Sequence, residues 1–135
     1  EEWIHAAGAG ADSANFFGDD PAQLADYARV AENTEESTQP VATRKPNQYG
    51  LHDVYGNVGE WVATKPRILM GGTYQDPADM LTTRSSQKQD RSWNMTDPQI
   101  PKSPWWLSDG PFAGFRILCE PGDIDAPGDS EGATP

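Results

Sequence analysis

Residues Asn47 to Val62 read NQYGLHDVYGNVGEWV, a run in which glycines and aromatic rings recur at close intervals. Asp53 and Glu60 stand seven residues apart in it and enclose Gly56, Asn57, Val58 and Gly59. A glycine-rich loop can curl so that its backbone carbonyls and both carboxylates converge on one point, and a hard cation such as calcium wants about six to eight such oxygens. The same spacing also suits a tight turn between strands with two solvated acids. It is not an EF-hand loop, because the acid spacing of that motif is absent. His52 beside Asp53 suggests acid–base chemistry. Adjacent residues of an extended strand point to opposite faces, however, which argues against a direct pair.

Working outward, Glu1 to Ala7 has Trp3, Ile4 and Ala7 on one helical face, and Gly8-Ala9-Gly10 stops it. With no N-cap residue before it, this helix reads as the end of a longer one. Ser13 to Ala22 reads as loop, Leu24 to Val30 as a short helix or extended segment, Glu32 to Ser37 as a polar turn, and Gln39 to Ala42 as extended. Arg67 to Met70 is expected to form a strand ended by Gly71-Gly72, and Phe112 to Cys119 another. Gln75 to Pro104 is polar and broken by prolines, so it is expected to be loop. Trp93 within that loop, and Trp105 and Trp106 directly after it, are expected to pack, pinning a domain poor in regular structure, rather than to line a groove.

The 135 residues suit one domain. Its 13 Gly and 12 Pro favour short strands, turns and ordered loops over a helix bundle. Residues 1–119 form the expected domain. Glu120 to Pro135 holds five acids and no base and reads as a disordered acidic tail. The net charge of -11 opposes binding to nucleic acid and to anionic membranes, where Lys and Arg must neutralise phosphates. No run approaches the roughly 18 apolar residues of a membrane span. Cys119 is the only cysteine, so an internal disulfide, a Cys-based zinc cluster and a CxxCH haem site are excluded. It is expected to be a small, partly buried apolar residue. Nucleophile-elbow, phosphate-loop and HExxH patterns are absent.

Four blocks then carry a resemblance. Asn47 to Val62 is similar to the N-x-x-G-L-x-D-M-x-G-N-V-W-E-W hallmark of formylglycine-generating-enzyme-like (sulfatase-modifying factor) domains. Glu2-Trp3-Ile4-His5-Ala6-Ala7 resembles the family's E-W-E-Y-A-A helix end, and Arg67 to Tyr74 its R-V-x-R-G-G-S-W/Y block. Gly114-Phe115-Arg116-Ile117 resembles its closing G-F-R-V/I strand. The blocks fall in order across the C-terminal part of such a domain, and two further stretches, around Phe17 to Asn33 and Asp97 to Trp106, resemble a planctomycete-type bacterial subgroup.

The resemblance implies an α+β, C-type-lectin-like fold of small twisted antiparallel sheets and long loops, incomplete at the N-terminus. It implies a calcium site at Asp53 and Glu60 with carbonyls of Gly56 and Val58, and a second near Asp26 and Asn33. It also locates a departure. The family's active oxidase binds copper through two cysteines after the Gly-Gly block, where this chain has Gln75-Asp76-Pro77-Ala78-Asp79-Met80-Leu81. Soft thiolates select Cu(I), so neither copper nor formylglycine-generating activity is expected. Gly59 and Met70 also depart, standing where the family has Trp and Arg.

The expected function is therefore a non-catalytic, calcium-stabilised binding or scaffold module, a pseudoenzyme acting extracytoplasmically (periplasmic or secreted). Its expected partner is another protein or the remainder of its own precursor. The alternative is a superfamily enzyme, a protein-modifying oxidase with non-cysteine chemistry. Against it, His5 and His52 are the only histidines and lie on separate segments, short of a two-His-one-carboxylate iron site. A true oxidase with its thiols elsewhere in a longer precursor ranks last.

Overall fold

In the computed structural model, which describes residues 1–103 and 109–119, a four-stranded sheet is framed by one short helix and by loops. The strands are β1 (Gly59–Val62), β2 (Ile68–Met70), β3 (Ser86–Lys88) and β4 (Ala113–Gly114), in the order β3-β2-β1-β4. β1 pairs antiparallel with β2 in the register Glu60↔Met70, and β2 pairs antiparallel with β3 in the register Leu69↔Gln87. β4 runs parallel to β1, so the sheet is antiparallel only in its β1–β2–β3 part. Helix α1 (Glu2–Gly8) ends at Ala9, whose positive φ of 47° lets its amide return to the His5 carbonyl.

Several expectations need correcting. The predicted strand Phe112–Cys119 contracts to the two residues of β4, and Cys119 is exposed rather than partly buried. Gln39–Ala42, expected to be extended throughout, ends in a turn at Val41–Ala42, with Ala42 at φ 58°. In Leu24–Val30, a 3₁₀ turn (Pro21–Asp26) covers the first residues, while Arg29 makes an isolated parallel bridge to Gly56. The expected loop Gln75–Pro104 contains β3 and two 3₁₀ turns, Ala78–Met80 and Arg91–Asn94. β3 escapes detection because Ser86, Gln87 and Lys88 are all exposed and show no apolar alternation; β2 alone defines it. Asp97, almost fully buried at 1%, orders the rest of that stretch by accepting the amides of Gln99 (2.8 Å) and Ser103 (2.6 Å). Trp105, Trp106 and the acidic tail lie outside the described residues.

Two apolar clusters hold the fold. One gathers Ala7, Phe16, Leu24, Ala28, Val30, Val54, Tyr55 and Leu81. In it Phe16 stacks on Tyr55 at 5.4 Å and Phe17 on Tyr27 at 5.0 Å, with Phe16 edge-on to Tyr27 at 4.9 Å. The other joins Leu69, Tyr74, Trp93 and Phe112 under Trp61, with Trp93 edge-on to Phe112 at 5.1 Å. Trp93 is therefore a packing residue, as its setting among prolines suggested.

Tyr55 is fully buried, yet its hydroxyl is satisfied by Thr83 Oγ1 (2.7 Å) and by the Phe16 amide (3.2 Å). Burial raises the phenol above its ordinary pKa, so the hydroxyl stays neutral in the fold. Because the folded state holds that proton more tightly, this contribution is present below the ordinary tyrosine range. It is lost as pH rises through and beyond it. Tyr55→Phe leaves the buried Phe16 amide and Thr83 hydroxyl without this partner. It should cost about 2 kcal/mol in urea unfolding, with the slope unchanged.

Candidate functional site

The hallmark run is tied by hydrogen bonds to α1, to Arg29, to Gln39 and to the Gly71–Tyr74 segment. At its start the Asn47 side chain donates to the Ala6 (2.8 Å) and Ala7 (3.3 Å) carbonyls at the end of α1. Its oxygen accepts the amides of Tyr49 and Leu51, both at 3.0 Å. Asn57, 3% exposed and at φ 54°, clasps the backbone of Gln39 with both ends of its amide, at 2.9 and 3.0 Å. Its own amide donates to the Arg29 carbonyl (2.7 Å), and its carbonyl accepts from Tyr74 (2.9 Å). The Gly56 amide donates to the Gly71 carbonyl at 2.9 Å.

Glu60 is the centre of this region. It is 6% exposed, on β1, and its carboxylate accepts Trp3 Nε1 at 2.8 Å. Arg116 approaches the same carboxylate with Nε (3.1 Å to each oxygen) and with Nη2 (2.7 Å), while Nη2 also reaches the His52 carbonyl at 2.8 Å. Three of the four blocks named above thus meet in one charge-assisted cluster: the helix end, the hallmark turn and the closing strand. Sequence reasoning singled out Glu60 but not Trp3 and Arg116 as its partners.

Asp53 stands at φ 54°, a left-handed conformation that Asp tolerates better than most residues. Its Oδ2 accepts the Ala42 amide at 2.7 Å, whereas Oδ1 is buried with no hydrogen-bond partner. A buried carboxylate oxygen without a donor is costly. A cation would satisfy it, so the Asp53 side of the turn fits the calcium expected there. Glu60 fits only by sharing, since a carboxylate has about four lone-pair sites and Trp3 and Arg116 already engage both of its oxygens.

The second expected site is held differently. Asp26 Oδ2 pairs with Lys45 Nζ at 2.8 Å, and that hydrogen bond and charge lower the Asp26 pKa. Asn33 uses its side chain to accept the Val30 amide and to donate to the Ala28 carbonyl, both at 3.0 Å. Among the described residues, no three His, Cys, Asp or Glu side chains form a metal-holding group.

His52 and Asp53 do not bond each other. His52 Nδ1 lies 2.8 Å from the Arg44 carbonyl and therefore carries the proton there. His5 is a ring neighbour of Tyr49 at 5.8 Å. In the stretch matching the family's thiol block, Asp76 Oδ2 accepts the Thr73 amide (2.8 Å) and hydroxyl (2.9 Å), and Leu81 is core. A hollow of about 290 Å³ lies beside it over Gly59 and Leu69, walled by Thr73, Asp76, Met80 and Gln87. A Cβ at Gly59 would stand 3.1 Å from that of Leu69, so a large side chain there requires Leu69 to move.

The model of the sulfatase-modifying factor enzyme 1-like domain matches residues 1–100. Among solved structures, Treponema denticola variable protein 1 superposes with a TM-score of 0.63 at 25% identity, over 84% of this chain and 43% of that one. CarF gives 0.51 at 25% identity over the same 84% and 43%. PvdO from Pseudomonas aeruginosa gives 0.59 at 20% identity, over 84% and 48%, a likeness of fold. No curated protein matches. The chain spans less than half the length of these structures, and with them it shares an α+β, C-type-lectin-like fold. It belongs to the sulfatase-modifying factor enzyme 1-like family, the formylglycine-generating-enzyme-like domains.

Proposed function

We propose that the chain is a non-catalytic, calcium-stabilised binding or scaffold module. The observation that carries this reading is the buried, partnerless Oδ1 of Asp53 in a glycine-rich turn. Calcium held by Asp53, by the carbonyls of Gly56 and Val58, and by Glu60 in common with Arg116 would supply positive charge to that oxygen. The protein residues do the rest: Asn57 fixes the turn against Gln39, and Arg116 holds the closing strand to Glu60. The groups that chemistry would need are in structural use. Glu60 is bound by Trp3 and Arg116, and the His52 ring by the Arg44 carbonyl. Extracytoplasmic placement, periplasmic or secreted, goes with this reading, because calcium is plentiful there.

Melting in EDTA and in rising calcium tests it. The midpoint should climb with ligand by mass action, by about 2.7 kcal/mol of stability at a hundredfold excess over Kd, and Asp53→Ala should abolish the climb. Identical melts in EDTA and calcium would remove the metal from the account. Oxygen uptake by copper- or iron-loaded protein given a cysteine peptide would remove the non-catalytic part.

A further inference from the structure

We propose that the chain's own acidic segment, Glu120–Glu131, lies over the hairpin end of the sheet, where it covers a basic hollow and closes it to other polyanions. This goes beyond the scaffold reading and needs no calcium. Charge is unevenly placed along the chain. Residues 61–70 and 86–92 hold four of its ten bases, Lys65, Arg67, Lys88 and Arg91, but only one of its 21 acids, Asp90. The register brings these bases to one end of the sheet. Lys88 stands opposite Ile68, the Gln89 amide donates to the Arg67 carbonyl (3.3 Å), and Lys65 lies in the turn between β1 and β2. Beside them is a hollow of about 620 Å³ lined by Arg91 and Lys102, with Met95 and Pro101 in its wall. Asp90 lines it too, but its carboxylate is engaged by the Ser92 amide (2.8 Å), capping the 3₁₀ turn.

Lys102 is fixed in this hollow, because its ammonium donates to the Met95 (2.7 Å) and Asp97 carbonyls. Lys65, Lys88 and Arg91 make no ion pair with a described carboxylate. This end of the sheet therefore carries a positive potential on a chain whose net charge is -11. Charge and reach identify the occupant. Glu120, Asp123, Asp125, Asp129 and Glu131 are five acids with no base between them, equal in number to the bases Lys65, Arg67, Lys88, Arg91 and Lys102. β4 runs parallel to β1 and so points the chain toward this same end. From β4 to β3 is three strand spacings, about 15 Å. A flexible chain of about 12 residues, the separation of Cys119 and Glu131, spans about 19 Å. A segment tethered in this way acts at an effective concentration near millimolar, which a free anion must match to displace it.

The test uses the full 135-residue chain in EDTA, with a nitroxide spin label on Ser130→Cys and with Cys119→Ser removing the exposed native thiol. At low salt the label should broaden the amide resonances of residues 88–91 and 102 more than any other amides up to residue 110. Sodium chloride at about 1 M, where the Debye length falls to about 3 Å, should remove most of that broadening. Lys88→Glu combined with Arg91→Glu should do the same at low salt. The salt arm reads the contact without any change at the basic end, should that variant fold poorly. A free peptide of residues 120–135 should bind the basic end at least about 10-fold more tightly when the five acids of the tethered segment are replaced by Asn and Gln, since the tethered competitor is then gone. Four results overturn the proposal: broadening that is strongest elsewhere; broadening unchanged by salt; peptide binding that is equal with and without the tethered acids; and broadening lost on dilution, which assigns the contact to a second copy. Because EDTA is present throughout, the outcome is separate from the calcium reading, which the melts decide on their own.

Discussion

Gly56→Ala should remove at least about 4 kcal/mol of folding stability, a large share of the 5–15 kcal/mol that a domain has. Gly56 sits at φ +67°, where an L side chain is strained by about 1–2 kcal/mol. Strain is the smaller part. A Cβ at this position would run into the Arg29 carbonyl oxygen and lie 2.8 Å from its carbon, and both are backbone that no rotamer change can move. The Arg29–Gly56 bridge would have to part, taking with it the Asn57-to-Arg29 and Gly56-to-Gly71 hydrogen bonds. Gly50→Ala is the control. Its φ is +78°, but a Cβ there meets nothing within 4 Å, so only the strain should appear. Circular dichroism melts of the two variants separate the effects: a loss at Gly56 no greater than at Gly50 would show that the close approach does not matter.

Glu60→Ala should cost about 2–4 kcal/mol. Removing one member of a buried ion pair commonly costs about 3–5 kcal/mol, but the Arg116 side chain is 36% exposed, so water can solvate part of the orphaned guanidinium. Trp3 Nε1 loses its acceptor as well. Arg116→Ala leaves the opposite orphan, a carboxylate on a side chain only 8% exposed, with Trp3 as its remaining donor. That variant should be at least as unstable. Glu60→Gln keeps an acceptor oxygen and should fall between Glu60→Ala and the unaltered protein. Near this chain length each kcal/mol shifts the midpoint by roughly 3–6 °C, so the series is resolvable by melting alone.

The sequence reveals much of this architecture but not its meeting points. The helix at Trp3 to Ala7, the strand at Ile68 to Met70 and the hallmark turn are legible because glycine and apolar spacing mark them. Trp3 and Arg116 lie 57 and 56 residues from Glu60, and nothing local signals that all three converge. β3 carries no apolar alternation, so only its pairing with β2 discloses it. Cys119 reads as partly buried because Phe115-Arg116-Ile117-Leu118 resembles a core strand; only Ala113 and Gly114 pair, which leaves the apolar residues exposed. At Asp53 the acid spacing is visible in the sequence. The positive φ and the partnerless Oδ1 are not, since both depend on how the chain around Ala42 meets the turn.

The hallmark turn holds helix, sheet and closing strand together through Glu60. A double-mutant cycle on Glu60→Ala and Arg116→Ala, read by urea unfolding, tests it most directly. Residues that share one buried hydrogen-bonded pair should show a coupling of about 2 kcal/mol, with the double variant less damaged than the sum of the singles. Losses that simply add, to within about 0.5 kcal/mol, would contradict the claim.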